Sequence, residues 1–343
     1  MIVALDTQLA LGTATGIGEY ARGLAGALRA QGMHTIELQE PRLDPWRFDR
    51  RVWWDQVVLP RRARASGAGL LHCTAGTMPL RAPLPLAVTV HDVAWLKVQQ
   101  HTRFYARYYF GNFSLRRYRQ ARAVFVDSHF SKSELLGACD LHADRVHVVY
   151  PGVAADYRIP RPERVRERFV LVPGTVEPRK NLEVLVRALA LLADLRIVSV
   201  GPFTPYRERC LALADALHVR DRLELRGYVS RADLLELYAR CGVVAVPSRY
   251  EGFGYAAAQA LCSGTPLLVS DCASLPEVAG GDAPSLDADD AHAWARAIAS
   301  VLDDPQTAAR RAAAAVERAR ERFAWDASAR AAIAVYRAML ENG

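Results

Sequence analysis

Residues 247–280 read PSRYEGFGYAAAQALCSGTPLLVSDCASLPEVAG. The apolar run Val243–Val246 just before them predicts a buried parallel strand. Tyr255–Cys262 has helical composition, Ser263-Gly264 stops that helix, and Pro266–Val269 reads as the next short strand. Glu251, followed by Gly252, Phe253 and Gly254, therefore sits where a strand hands over to a helix. In open α/β sheets ligands bind beyond that carboxyl edge. The glycines let the backbone approach a ligand closely. The helix start offers unpaired N–H groups and a partial positive charge, which suit a phosphate. A carboxylate beside such a cradle calls for a ligand that carries hydroxyls as well, as a nucleotide sugar does.

Working outward, Phe169–Val172 reads as the first strand of a second βα series. It leads into Gly174-Thr175-Val176-Glu177-Pro178-Arg179-Lys180-Asn181-Leu182, with Asn181 expected to cap the helix running through Leu185 and Leu189. Arg179 and Lys180 stand just before that helix. Two cations there can neutralise a pyrophosphate, the guanidinium by forked bonds and the ammonium as a point charge. Arg196–Val200 and Arg222–Leu225 read as strands, the second ending in Gly227-Tyr228-Val229. Asp287–Asp304, Gln306–Arg322 and Asp326–Leu340 read as helices.

The first half carries its own βα series. Ile2–Leu5 is followed by a loop holding Gly16 and Gly18, a second phosphate-facing candidate, and then by a helix over Glu19–Ala30. Thr35–Leu38, Leu70–His72, Pro83–Val90, Val124–Val126 and Val146–Val149 read as strands. His91 stands at the carboxyl end of one of them, where an imidazole points toward a ligand, with Asp92 available to orient either the ring or the backbone turn. Ser131-x-x-Glu134 reads as a capping box that starts a helix. Residues 154–168, rich in charge and holding Pro160 and Pro162, read as the linker.

His101–Gln120, HTRFYARYYFGNFSLRRYRQ, is both basic and aromatic. As one helix it places Phe104, Tyr108, Leu115 and Tyr118 on one face, flanked by Arg103, Arg107, Arg116, Arg117 and Arg119. Two readings stay open: contact with lipid head groups or an anionic acceptor, or a core-facing helix with a solvated basic side.

Taken together, these motifs resemble retaining glycosyltransferases of the GT-B fold, specifically glycosyltransferase family 4. The resemblance rests on E-G-F-G at 251–254, G-T-P at 264–266, E-P-R-K-N at 177–181, T-G-I-G at 15–18 and S-x-F-S at 128–131. It covers nearly the whole chain. It implies an α/β GT-B fold, two Rossmann-like domains facing a cleft, with the last helix crossing back to the first domain near Trp325. The expected division is residues 1–165 on the acceptor side, 166–322 binding the nucleotide sugar, and 323–343 packing back on the first. The family places the residue at His91 against the donor sugar and Glu251 on its hydroxyls, here the catalytic pair. Donor binding falls to Gly16, Gly18, Arg179, Lys180, Tyr228, Val229, Gly252, Phe253, Gly254, Tyr255 and Gln259. Family members carry Glu at the position of Gln259, where the carboxylate meets the ribose. The amide departs from that pattern and motivates one alternative, a non-catalytic sugar-nucleotide-binding partner subunit. The resemblance further implies transfer with retention, without metal or cofactor, to a polysaccharide or lipopolysaccharide acceptor, with mannose from GDP-mannose as the first guess at the donor.

Composition agrees with that class. Hydrophobic residues make up 51% and charged residues 24% of 343 positions, values of a water-soluble chain long enough for two domains. The net charge of +7 rests almost wholly on Arg, with Lys only at 97, 132 and 180. It favours anionic substrates or an anionic membrane face, and nucleic acid is not expected as a partner. Cysteines 73, 139, 210, 241, 262 and 272 are scattered without a C-x-x-C pair, which fits a reducing compartment. MIVALDTQLALG reads as a first strand rather than a signal peptide. The expected location is cytoplasmic, with peripheral contact at the inner face of the plasma membrane.

Overall fold

A computed structural model describes residues 1–12, 16–97, 104–158 and 166–341. The loop residues 13–15, Arg103, and residues 159–165 of the expected linker lie outside the described residues. The chain divides into two units, Met1–Gly152 with Phe323–Gly343, and Val153–Arg322.

The first unit is built on β1 (Ile2–Asp6), β2 (His34–Leu38), β3 (Leu70–Cys73), β4 (Leu86–Val90), β5 (Ala123–Val126) and β6 (Val146–Val148), in the order β2-β1-β3-β4-β5-β6. All pairings are parallel. Both faces are covered, as in parallel sheets generally. Val3, Leu5 and Phe125 pack against Tyr20 and Leu24 of the helix Gly16–Ala30 and against Ile333 and Tyr336 of the last helix, Trp325–Glu341. Ala4, Leu71, Val88 and Val124 face Trp54, Leu59 and Tyr118 on the other side. The last helix approaches so closely that a Cβ on Gly23 would lie 2.1 Å from the Trp325 ring, and one on Gly152 2.3 Å. Only glycine fits at either place.

The second unit is built on β7 (Glu167–Pro173), β8 (Arg196–Val200), β9 (Leu223–Leu225), β10 (Cys241–Val246), β11 (Leu267–Ser270) and β12 (Ser285–Leu286), in the order β12-β11-β10-β7-β8-β9. This is the doubly wound pattern whose order reverses between β7 and β10. Val170, Ile197 and Val243 share a core with Leu185, Leu189, Trp294 and Ile298.

Four local readings need correction. The first helix begins at Gly16, so Gly16 and Gly18 lie in its first turn and not in the preceding loop. The helix His129–Ala138 is capped by Ser128, whose side chain accepts from the Ser131 N–H, so Ser131 is the third helical residue and its hydroxyl instead bonds the His91 carbonyl at 3.0 Å. The stretch 104–118 is two short helices, Phe104–Tyr108 and Ser114–Tyr118, joined by a π turn over Tyr109–Phe113 that the Ser114 hydroxyl closes onto the Tyr109 carbonyl at 2.7 Å. The wider turn rotates the second half relative to the first. Phe104 and Tyr108 are exposed while Leu115 and Tyr118 are buried, so the four do not share a face. Finally, Ala155–Arg158 is a 3-10 turn and Glu167-Arg168 already belong to β7, which shortens the expected linker at both ends.

Candidate active site

In the second unit, the loops leaving β7 and β10 lie side by side at the reversal of strand order, where doubly wound sheets bind ligands. The Arg249 N–H bonds the Arg179 carbonyl at 2.7 Å, which ties the two loops together. Glu251 is buried. Its Oε1 accepts from Lys180 Nζ at 2.5 Å and Ser248 Oγ at 2.7 Å, and its Oε2 accepts from Arg179 at 3.0 Å. Burial pushes this carboxyl up, but Lys180, Arg179 and the Ser248 hydrogen bond outweigh it and hold the carboxyl at about 2. Arg179 also reaches Glu177 at 2.8 Å and the Tyr250 carbonyl at 3.1 Å. The sequence thus brought Glu251, Arg179 and Lys180 to one place correctly, but gave no hint that they hold one another.

Asn181 is not a side-chain cap. It takes the left-handed conformation at φ 56°, and its amide donates to the Pro247 and Ala288 carbonyls. It therefore fastens the β7 loop to the end of β10. Gly254, at φ 96°, precedes the helix Tyr255–Ser263, and a Cβ there would lie 2.8 Å from Leu275. Gly252 and Phe253 are buried, with Phe253 edge-on to Tyr255 at 5.3 Å. The Ser274 hydroxyl bonds the Glu251 and Phe253 carbonyls. Gln259 is buried on the same helix, and its Oε1 accepts from the Tyr238 hydroxyl at 3.1 Å. Beyond β9, Tyr228 is 58% exposed and Val229 half-buried. Phe203, which sequence reading missed, is exposed in the neighbouring loop, with the Arg207 guanidinium 5.0 Å from its ring centre.

In the first unit, His91 follows β4 and Asp127 follows the adjacent β5. Nδ1 of His91 lies 2.6 Å from Asp127 Oδ2 and Nε2 lies 2.9 Å from the Thr74 carbonyl. A carbonyl only accepts, so Nε2 donates. Burial lowers the basicity of this ring, but the Asp127 charge and hydrogen bonds overcome it and raise His91 above the ordinary imidazole value. Asp127, not Asp92, orients the ring, since Asp92 accepts from the Ala94 N–H. Tyr20 packs edge-on against the ring at 4.8 Å. Gly16 is exposed and Gly18 buried. Arg107 and Arg116 are exposed, whereas Arg117 donates to the Pro79 and Leu80 carbonyls. Among the described residues no three His, Cys, Asp or Glu side chains gather as metal ligands, and no helix is long and apolar enough to cross a membrane.

Both halves of the chain match known proteins. Residues 14–157 match the profile of Glycosyltransferase Family 4, and residues 155–322 that of Glycosyl transferases group 1. The chain belongs to these glycosyltransferases and has the GT-B fold. It is 32% identical over 249 residues to the D-inositol 3-phosphate glycosyltransferase of Corynebacterium glutamicum, covering 65% of this chain and 58% of that protein. It is 29% identical over 282 residues to the MMP alpha-(1->4)-mannosyltransferase of Mycolicibacterium hassiacum, covering 79% of this chain and 68% of that protein. The matched region spans about half the length of the inositol phosphate relatives, 48–58%. Among solved structures, the sucrose-phosphate synthase of Thermosynechococcus elongatus superposes over 100% of both chains at a TM-score of 0.81 and 22% identity. Anabaena HepE, solved with UDP and glucose, does so at 0.73 and 17% identity, over 99% of this chain and 98% of that one.

Proposed function

We propose that this chain is a retaining, metal-independent glycosyltransferase. It moves a sugar, mannose from GDP-mannose in the first instance, from a nucleoside diphosphate sugar to a growing cell-surface glycan or a lipid-linked acceptor. It acts in the cytoplasm at the inner face of the plasma membrane. The observation that carries this reading is the cluster of Glu251 with Lys180 and Arg179 at the reversal of strand order.

The second unit holds the donor and the first takes the acceptor. Lys180 carries three N–H donors and Glu251 takes one of them, so the others can turn to phosphate oxygens. Arg179 adds a fixed cation, and the start of the helix at Gly254 and Tyr255 adds further donors. Together they stabilise the charge that grows on the departing diphosphate. Glu251 holds donor-sugar hydroxyls, and Gln259 meets the ribose. The backbone at Tyr228 and Val229 runs along the base. The bond from the anomeric carbon to the diphosphate oxygen breaks, the acceptor oxygen bonds to the same face, and its proton passes to the departing phosphate. The mannosyltransferase relative supports mannose as the sugar.

A thermal-shift series with GDP, UDP and ADP and their sugars tests the donor. A ligand at ~100 times its Kd adds about 2.7 kcal/mol to stability, so GDP-mannose should raise the melting temperature most. A larger rise with UDP-sugars would replace the donor assignment. Donor hydrolysis separates an enzyme from a non-catalytic partner subunit, and the anomeric configuration of the product tests retention.

A further inference from the structure

Two segments of the first unit hold most of its unexplained surface. Phe48, in the helix Phe48–Trp53, packs against Tyr105 at 4.7 Å and edge-on to Tyr109 at 5.8 Å. Behind them the Tyr109 hydroxyl donates to buried Asp55 at 2.8 Å, and Gln56 donates to the same hydroxyl at 2.9 Å. The segments 46–64 and 104–119 are therefore one joined structure. Its outer side carries large aromatic side chains that reach solvent: Trp46 is 52%, Trp53 51% and Phe104 85% exposed, and Tyr105 and Tyr108 are nearly half exposed.

Charge is concentrated in the same place. Residues 46–64 hold six arginines and two aspartates, and 104–119 hold four arginines and no acid. These segments carry a formal +8 against +7 for the entire chain, so the rest of the protein is close to neutral. One of the arginines, Arg51, is buried and neutralised by Asp6 and Asp55. On the surface, Asp49 takes Arg47 and Arg50, and Glu40 takes Arg62. Arg61, Arg64, Arg107, Arg116 and Arg119 are exposed around the aromatics.

We propose that this face docks on an anionic lipid bilayer, with the aromatic tips entering the head-group layer and the arginines meeting lipid phosphates. Indole and phenol rings favour that boundary, and arginine stems lie along apolar surface while their charges reach phosphate. Pairing with a second copy would place the same patch against itself and oppose its arginines. Phosphate attraction alone would suit nucleic acid, but it leaves the near-fully exposed Phe104 without a purpose. The inference deepens the membrane placement proposed above, and it does not depend on the donor.

Co-sedimentation of the full chain with phosphatidylcholine vesicles, with or without phosphatidylglycerol, tests it. Anionic vesicles should take up the protein at low salt and neutral ones much less. The double variant Arg107→Ala/Arg116→Ala should lower the partition about thirty-fold, from two near-surface charges. Trp53→Ser/Phe104→Ser should lower it at least about tenfold. All four side chains are exposed, and unchanged melting temperatures would confirm that the variants fold. Failure to bind anionic vesicles, equal binding by both variants, or tighter binding to duplex DNA than to vesicles would overturn the proposal. A donor-induced thermal shift that persists in any of these cases keeps the nucleotide-sugar reading separate.

Discussion

Replacing Glu251 by Gln removes one negative charge at almost constant volume. Both oxygens of the native carboxylate accept from cations, Oε1 from Lys180 and Oε2 from Arg179. An amide has one oxygen and one NH2 group, so whichever way it turns, N–H donors face a cation. The structure sets the magnitude. The Glu251 carboxyl is held at about 2 against an ordinary 4.5. At roughly 1.4 kcal/mol per tenfold, this favours the charged form by about 3 kcal/mol. Removing one partner of a buried ion pair costs about 3–5 kcal/mol, which is the same order. In a unit the size of Val153–Arg322, each kcal/mol moves Tm by roughly 2–4 °C. Glu251→Gln should then melt about 6–12 °C lower at neutral pH. The sign of the pH dependence follows from the lowered value. The stabilisation is fully present above 4.5 and is lost as pH falls from there through about 2. The gap between wild type and variant should close across that window. Differential scanning calorimetry at neutral and acid pH measures both effects. A Tm within about 2 °C of wild type at neutral pH would refute the argument that this carboxylate anchors the two cations. In donor hydrolysis the same variant should lose turnover more than nucleotide affinity.

Lys180→Ala and Arg179→Ala should each lower donor use roughly ten- to hundred-fold, the worth of one charged hydrogen bond. Steady-state kinetics with the sugar nucleotide measures this, and values within twofold of wild type for both would sink the diphosphate assignment. Gln259→Glu should tighten nucleoside diphosphate binding a few-fold by calorimetry, through about 1 kcal/mol of charge assistance to the ribose, and unchanged affinity would remove the ribose from this position. Asp127→Asn should lower the His91 pKa, because burial then acts against only the Thr74 hydrogen bond and the Asp92 charge. Wild-type stability from this pair is present below the unfolded imidazole value of 6.5 and is lost as pH rises through the raised folded one. NMR titration of His91 follows the change, and an unaltered titration would show that Asp127 does not hold the ring's charge.

The carboxyl-edge loops were legible in the sequence because each combines punctuation with chemistry. A short apolar run ends, glycines follow, and a charged residue stands before a helix. Glu251, Arg179 and Lys180 carry that signature, and His91 carries it without the glycines, directly after the apolar run Leu86–Val90. What the sequence could not show is which side chains hold them. The contacts of Asp127 with His91 and of Tyr238 with Gln259 join residues 36 and 21 apart, and no local pattern selects them. Ser128 and Ser131 both fit a cap by composition, and only the strand end at Val126 decides for Ser128. The face expected over 104–118 failed because it assumed 3.6 residues per turn throughout, and one π turn shifts the register of everything beyond it. Asn181 failed for another reason: the left-handed conformation takes its side chain away from the helix start.

Each unit therefore keeps its strand-end charge inside a closed pair. In the second unit Glu251 and Glu177 balance Arg179 and Lys180, so the cluster carries no formal net charge before a ligand arrives. On the reading proposed above, a diphosphate would be taken up by rearranging these bonds and not by a surplus of positive charge. Arg179 is held by Glu251, Glu177 and the Tyr250 carbonyl, a geometry that fixes its planar fork. Lys180 is a point charge on a flexible stem, bonded to Glu251. On the reading proposed above, sharing the ammonium's N–H donors between Glu251 and a phosphate would weaken its hold on the carboxylate and leave it freer to accept from a sugar hydroxyl, coupling the two binding events through the Lys180–Glu251 bond.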